Sequence, residues 1–135
     1  MTRRAIIVGG SVAGLSAAAM LVRAGWHVEV FEKAGAELEA RGAGIATHAE
    51  LHRAMARAGC DVSQLGPTVA DRVVFDLRGE VIESWRYEQV FTAWGRVYKL
   101  LRAQVPAEAM HYGISFNGFE QAPASGVPEI GRAHV

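Results

Sequence analysis

The chain is short of several things that would otherwise narrow its class. It has one cysteine, Cys60, in 135 residues. No internal disulfide can form, and a lone thiol suits a reducing compartment, so the expected location is the cytoplasm. Neither charge is in excess, because 14 lysines and arginines balance 14 aspartates and glutamates. No global field therefore recruits nucleic acid or an anionic membrane. Long apolar runs are also missing. Residues 5–8 are too few for a secretory h-region, and Gly9 and Gly10 interrupt them. The alanine-rich stretch that follows carries Arg23 and, at about 15 residues, falls short of a bilayer span. No internal repeat is present. What remains is the composition of a soluble globular protein, 50% hydrophobic and 21% charged. Its length suffices for one domain burying roughly two-thirds of its unfolded surface.

What the sequence does have is concentrated near its start. Residues 5–8, Ala-Ile-Ile-Val, make an apolar run that reads as a strand buried on both faces. Gly9, Gly10, Ser11 and Gly14 come next, and residues 11–24 read as a helix closed by Gly25. Strand, glycine turn and helix in that order open a dinucleotide-binding βαβ unit. The first glycine lets the chain reverse at the strand's end, and small residues after it let backbone N–H groups approach a pyrophosphate. The positive end of the helix dipole then faces that anion. Gly14 allows the helix to pack close to the strand. Ser11 stands where the G-x-G-x-x-G fingerprint has its middle glycine, with a hydroxyl available to cap the helix or touch a phosphate.

Residues 26–32 read as the second strand, and its last residue, Glu32, lies 18 positions after Gly14 and 23 after Gly9. An acid at that place accepts hydrogen bonds from the ribose hydroxyls of an adenosine. It also repels a 2′-phosphate, which argues against NADP in this site. Taken alone, Glu32 is a solvated charge at a strand end. Beside strand, turn and helix, the ribose reading outweighs that one.

Farther on, residues 35–46 are rich in glycine and alanine, and Gly42 and Gly44 suggest a backbone in close approach to something or at positive φ. Arg41 is either a second phosphate or ribose contact or an exposed loop arginine. Thr47-His48-Ala49-Glu50 is a capping-box pattern that predicts a helix from about 48 to Gly59, with Leu51, Met55 and Ala58 inward and Arg53 and Arg57 outward. His48 and His52 are four apart, but no third ligand sits at matching spacing, so partly exposed histidines are expected, not a metal site. Residues 69–75 and 81–85 predict a hairpin around Gly79, and hence a second sheet. Residues 86–93 read as a connection or lid. Thr92 is expected to cap a helix over about 93–105 that Pro106 stops. Residues 112–119 resemble another strand.

With residues 9–14, Glu32 and the Arg41-Gly42-Ala43-Gly44-Ile45 segment, the chain resembles the class A flavoprotein monooxygenases, the FAD-dependent aromatic hydroxylases. The segment Phe91-Thr92-Ala93-Trp94-Gly95-Arg96-Val97-Tyr98-Lys99-Leu100-Leu101-Arg102 is most similar to the 2,6-dihydroxypyridine hydroxylase branch. The resemblance spans about residues 4–120 and is most specific in the first 50. It implies an α/β, Rossmann-like FAD-binding fold of the two-dinucleotide-binding type, incomplete here, with a hairpin from a second sheet. Residues 1–128 would be the N-terminal part of the FAD-binding domain, with 68–92 an insertion belonging to the substrate-side sheet.

The implied cofactor is FAD, held by Gly9, Gly10, Ser11, Gly14, Glu32, Lys33, Arg41, Gly44 and Arg102. NAD(P)H would be the co-substrate, and a small aromatic molecule the partner. A homo-oligomer is left open, and neither nucleic acid nor membrane is expected. Many members carry arginine where this chain has Trp94, so no cofactor role is carried to that position. His48 and the loop after Gly44 would lie near the flavin ring, although a surface role fits His48 equally well.

Full members are roughly three times longer, and two later glycine-aspartate segments that bind the cofactors have no counterpart here. Residues 130–135, Ile-Gly-Arg-Ala-His-Val, read as a translated sequencing adapter, so 129–135 are expected to be a non-native tail. The chain is accordingly read as an oxidoreductase fragment whose own catalysis is in question. The alternatives are a dinucleotide-binding module that does no chemistry, and a piece of another FAD-dependent oxidoreductase. The hairpin and the helix near 93–105 favour the hydroxylase layout. Exposed sheet edges, with either poor solubility or weak flavin binding, are also expected of it.

Overall fold

A computed structural model describes residues 3–36 and 43–119. The elements in chain order are β1 (Arg4–Val8), α1 (Val12–Arg23), β2 (His27–Glu32), β3 (Gly44–Ala46), α2 (Ala49–Ala58), β4 (Thr68–Phe75), β5 (Val81–Ala93), α3 (Trp94–Arg102) and β6 (Met110–Tyr112). Single turns of 3₁₀ helix occupy Val62–Gln64 and Ala107–Ala109. Arg41 and the suspected tail lie outside the described residues.

β1 and β2 are parallel, joined through α1, and β6 adds in parallel on the far side of β2. This is the βαβ unit the opening residues predict, extended by one strand in the order β1-β2-β6. Helix α1 is small where it must approach the sheet. Leu15, Ala18 and Ala19 are its buried residues, and it packs against β2, α2 and α3. Met55 and Ala58 of α2 and Val97, Tyr98 and Leu101 of α3 close the core on that side. Full burial of each large side chain stabilises by about 1.5–3 kcal/mol.

Among the described residues, only one face of the parallel sheet is covered. Val28 and Val30 are buried, whereas Ile6 and Val8 on β1 are 39% and 51% exposed. The expectation of a strand buried on both faces therefore fails for β1: it is an edge strand with helices on one side alone.

The second sheet is antiparallel, in the order β3-β5-β4. Its turn is fixed by Asp76, whose Oδ1 accepts from Arg78 N at 2.8 Å and Glu80 N at 2.9 Å, and by Gly79 at φ +85°. Residues 86–93 are not a lid. They continue β5, pairing Arg86 with Asp71, Gln89 with Val69 and Thr92 with Ile45. Both faces of the hairpin are largely exposed, so its polar residues follow no inward–outward alternation, and the strand signal is lost.

Three other boundaries shift. The cap of α2 is His48, whose Nδ1 accepts from Leu51 N at 3.3 Å, not Thr47. The Thr47 hydroxyl is drawn instead to the Val90 carbonyl at 2.8 Å. Thr92 does not cap α3, since Ala93 is the N-cap and the Thr92 hydroxyl is buried without a partner. α3 ends at Arg102, and Val105 reaches the core from the turn beyond it. The last strand is Met110–Tyr112, not 112–119. Gly113, at φ +74°, turns the chain out of the sheet, leaving residues 114–119 without strand structure.

Candidate functional site

The parallel order places the C-terminal ends of β1, β2 and β6 together, the end at which open α/β sheets bind ligands. Three of the sequence-predicted groups meet there: the glycine turn, Glu32 with Lys33, and Arg102 by way of Tyr112.

Gly9 leaves β1 at φ +99°, a left-handed conformation that glycine adopts without strain, and its N–H donates to Phe31 O at 2.8 Å. Gly14 is dictated by contact. A Cβ there would lie 1.9 Å from the carbonyl oxygen of Gly9, so any side chain would push α1 off the turn. Ser11 is the N-cap of α1 by backbone geometry, yet its side chain makes no cap hydrogen bond, and the first turn holds no acid. The first N–H groups of α1 thus have neither an intrahelical acceptor nor a side-chain cap from Ser11. Of the two roles expected for the Ser11 hydroxyl, the helix cap is not taken.

Glu32 is not a solvated charge. It is 6% exposed. One carboxylate oxygen accepts from Gly10 N at 2.7 Å and the other from Ala34 N at 2.9 Å. Gly10 is tight against it, because a Cβ at that position would stand 3.0 Å from Glu32 Cβ and 3.3 Å from Met110 Cε. Each carboxylate oxygen retains acceptor capacity. Lys33 follows, exposed. Tyr112 pairs with Glu32 in the sheet register, and its hydroxyl accepts from Arg102 Nε at 3.2 Å, while Arg102 Nη1 donates to Val105 O at 2.8 Å. Arg102 is thereby tied to the strand beside Glu32. The sequence offered no signal for Tyr112 or for the Gly10 bond, since both depend on contacts distant along the chain.

Gly44 lies elsewhere, on the second sheet opposite Ala93. It is not at positive φ, and among the described residues a Cβ there would meet only Thr92 O at 3.9 Å, so none of them requires glycine there. Close by, Trp94 donates its N–H to Ala43 O at 3.1 Å and stacks on Tyr98 with centroids 5.3 Å apart.

A separate open cleft of about 730 Å³ lies between the start of α2 and the hairpin, lined by Thr47, His48, His52, Tyr87 and Gln89 among others. Thr47 Oγ1 gives its one proton to Val90 O, so the 2.8 Å contact with His52 Nε2 makes His52 the donor there. Glu50 is exposed; hydrogen bonds from the backbone, His48 and Arg53 hold its carboxyl below the ordinary range. No group of three His, Cys, Asp or Glu residues able to hold a metal occurs among the described residues. No helix among them is long and apolar enough to cross a membrane.

Comparisons with known proteins agree with this fold. The chain is 34% identical over 104 residues to a 2,6-dihydroxypyridine 3-monooxygenase of Paenarthrobacter nicotinovorans, covering 73% of this chain and 26% of that protein. It superposes on the structure of 2,6-dihydroxypyridine-3-hydroxylase from Arthrobacter nicotinovorans with a TM-score of 0.78 at 30% identity, covering 90% of this chain and 31% of the other. HpxO of Klebsiella pneumoniae, solved with FAD and uric acid, shares the fold with a TM-score of 0.76 at 18% identity, covering 96% and 37%. No family model matches the chain. The chain spans well under half the length of each of these proteins.

Proposed function

We propose that this chain, a homologue of the FAD-dependent aromatic hydroxylases, binds the adenosine diphosphate half of FAD as the N-terminal part of a monooxygenase. The observation that carries the reading is the pairing at one sheet end of an uncapped α1 N-terminus with the buried carboxylate of Glu32. The cradle fits the group. Gly9 turns the chain at positive φ, Gly14 lets α1 approach where a side chain would block it, and α1 offers N–H groups to a pyrophosphate. Glu32 has lone pairs left for a ribose diol, and Arg102 is bonded to Tyr112, the residue that pairs with Glu32 in the sheet. Lys33, Arg41 and Gly44 belong to the same proposed contact set.

When bound, flavin would supply the redox chemistry: electrons from NAD(P)H and insertion of one atom of O₂ into an aromatic or N-heteroaromatic ring. The chain's own share is to grip the cofactor's nucleotide end and align it along the sheet. A second reading is a dinucleotide-binding unit that does no chemistry alone.

Titration of the purified chain with FAD, FMN, NAD and NADP tests the first step. FAD should bind more tightly than FMN, which lacks the adenosine, and a Glu32→Ala change should weaken it. Equal affinity for FAD and FMN would sink the reading. Consumption of NADH or NADPH with a phenol or hydroxypyridine, and detection of the hydroxylated product, would separate the enzyme from the silent binding unit.

A further inference from the structure

We propose that Glu32 is a positioning residue for the glycine turn as well as a contact for a ribose, and that it holds the turn in its binding shape before any nucleotide arrives. This rests on the dinucleotide reading above. The carboxylate is 94% buried and spends one lone pair on each of two backbone donors, Gly10 N at 2.7 Å and Ala34 N at 2.9 Å. Those donors belong to different segments, the turn after β1 and the turn after β2. One side chain therefore fastens the two loops that flank the pyrophosphate and the ribose.

The packing shows the same design. A Cβ at Gly10 would be tight, 3.0 Å from Glu32 Cβ and 3.3 Å from Met110 Cε. Ile114 N adds a bond to the Glu32 backbone carbonyl at 3.1 Å, so the residue is fixed at both its main chain and its head. Because Gly10 N–H is used by Glu32, the amides left for an anion are those at the start of α1. The clasp aims them by fixing the residue just before them. A residue that only waited for a ribose would instead leave Gly10 N–H without a protein acceptor.

The two roles separate on substitution by glutamine. Gln keeps one acceptor oxygen but turns an NH₂ toward a backbone N–H, setting donor against donor. It is still able to bond a ribose hydroxyl. The experiment measures amide hydrogen exchange at Gly10 and Ala34 without nucleotide, and affinity for ADP and for 2′,3′-dideoxy-ADP, in the wild-type chain and in Glu32→Gln. The clasp requires both amides to be protected in the wild type and to exchange about tenfold or more faster in the variant. It also requires both nucleotides to lose affinity by a similar factor, since the lost alignment acts on the pyrophosphate. If ADP weakens and the dideoxy nucleotide does not, Glu32 acts on the ribose alone and the proposal is overturned. Free exchange of Gly10 N–H in the wild type overturns it too, and needs no variant to fold. Failure of the wild type to bind ADP would remove the dinucleotide reading and the positioning role together. Gly10 protection in that case would show the bond surviving as a structural one.

Discussion

In the parallel sheet, Val28 is 4% exposed and Val30 not at all. In the antiparallel hairpin, Val69, Val73 and Val74 lie between 37% and 42% exposed, and Val81 and Ile82 reach 57% and 65%. The two regions use the same β-branched vocabulary, so strand formation by itself does not separate them. The difference is the layer laid against each. Helices α1, α2 and α3 share one core beside β2, whereas β4 and β5 contact chiefly one another. Local ladder bonds and the Asp76 turn hold the hairpin in shape, while burial holds the βαβ unit. The proposed nucleotide cradle sits on the packed half, where side chains are fixed closely enough to orient a ligand.

The largest test of that contrast is Leu101→Ala. Leu101 of α3 is 1% exposed in the shared core, so truncation should cost about 3–5 kcal/mol, read from the urea midpoint. A loss under about 1 kcal/mol would mean that the helical layer is not what stabilises the sheet. Next comes Gly14→Ala. The added methyl would meet Gly9 O at 1.9 Å, and overpacking of this kind costs about 2–3 kcal/mol. The same change should abolish measurable FAD binding, because α1 must withdraw from the turn. Retained binding would show that the anion does not sit at this helix end.

The hairpin should answer differently. Ile82→Lys, on a face that is 65% exposed, should change stability by no more than about 0.5 kcal/mol. It should also reduce self-association in sedimentation, since it breaks an exposed apolar patch. A large destabilisation would reveal a packing partner for the hairpin and collapse the distinction between the two halves.

How far the sequence carried these conclusions follows the same division. The βαβ unit was legible because every signal there is local: an apolar run, a left-handed glycine, an acid at a fixed interval. Glu32 was legible as the acid at the tip of β2, but its burial was not, because that comes from Gly10 and Ala34 folding over it. The capping pattern at residues 47–50 misled because Val90, 43 positions away, takes the Thr47 hydroxyl and leaves the cap to His48. The extension of β5 through residues 86–93 was hidden because neither hairpin face is buried enough to impose a period of two. β6 was misplaced for a related reason: only three residues pair with β2 before Gly113 turns the chain away.

The smallest expected effect concerns Cys60, which reports on the packed half alone. It is 6% exposed beside Met55 and Leu65, and burial pushes its thiol above the ordinary value of 9.0. Burial disfavours the thiolate, so the unfolded chain gives up this proton first. Stability should therefore be flat below the unfolded thiol's value, decline as pH rises through it, and level off once the folded thiol also ionises. Cys60→Ser should remove that decline. Alkylation at mildly alkaline pH should be slower by an order of magnitude or more than in the urea-unfolded chain, because the thiolate is the reactive form and is scarce in the fold. Equal alkylation rates would mean that the α2 side of the core opens as readily as the bare hairpin, and the contrast between the two halves would then be one of shape without a difference in local stability.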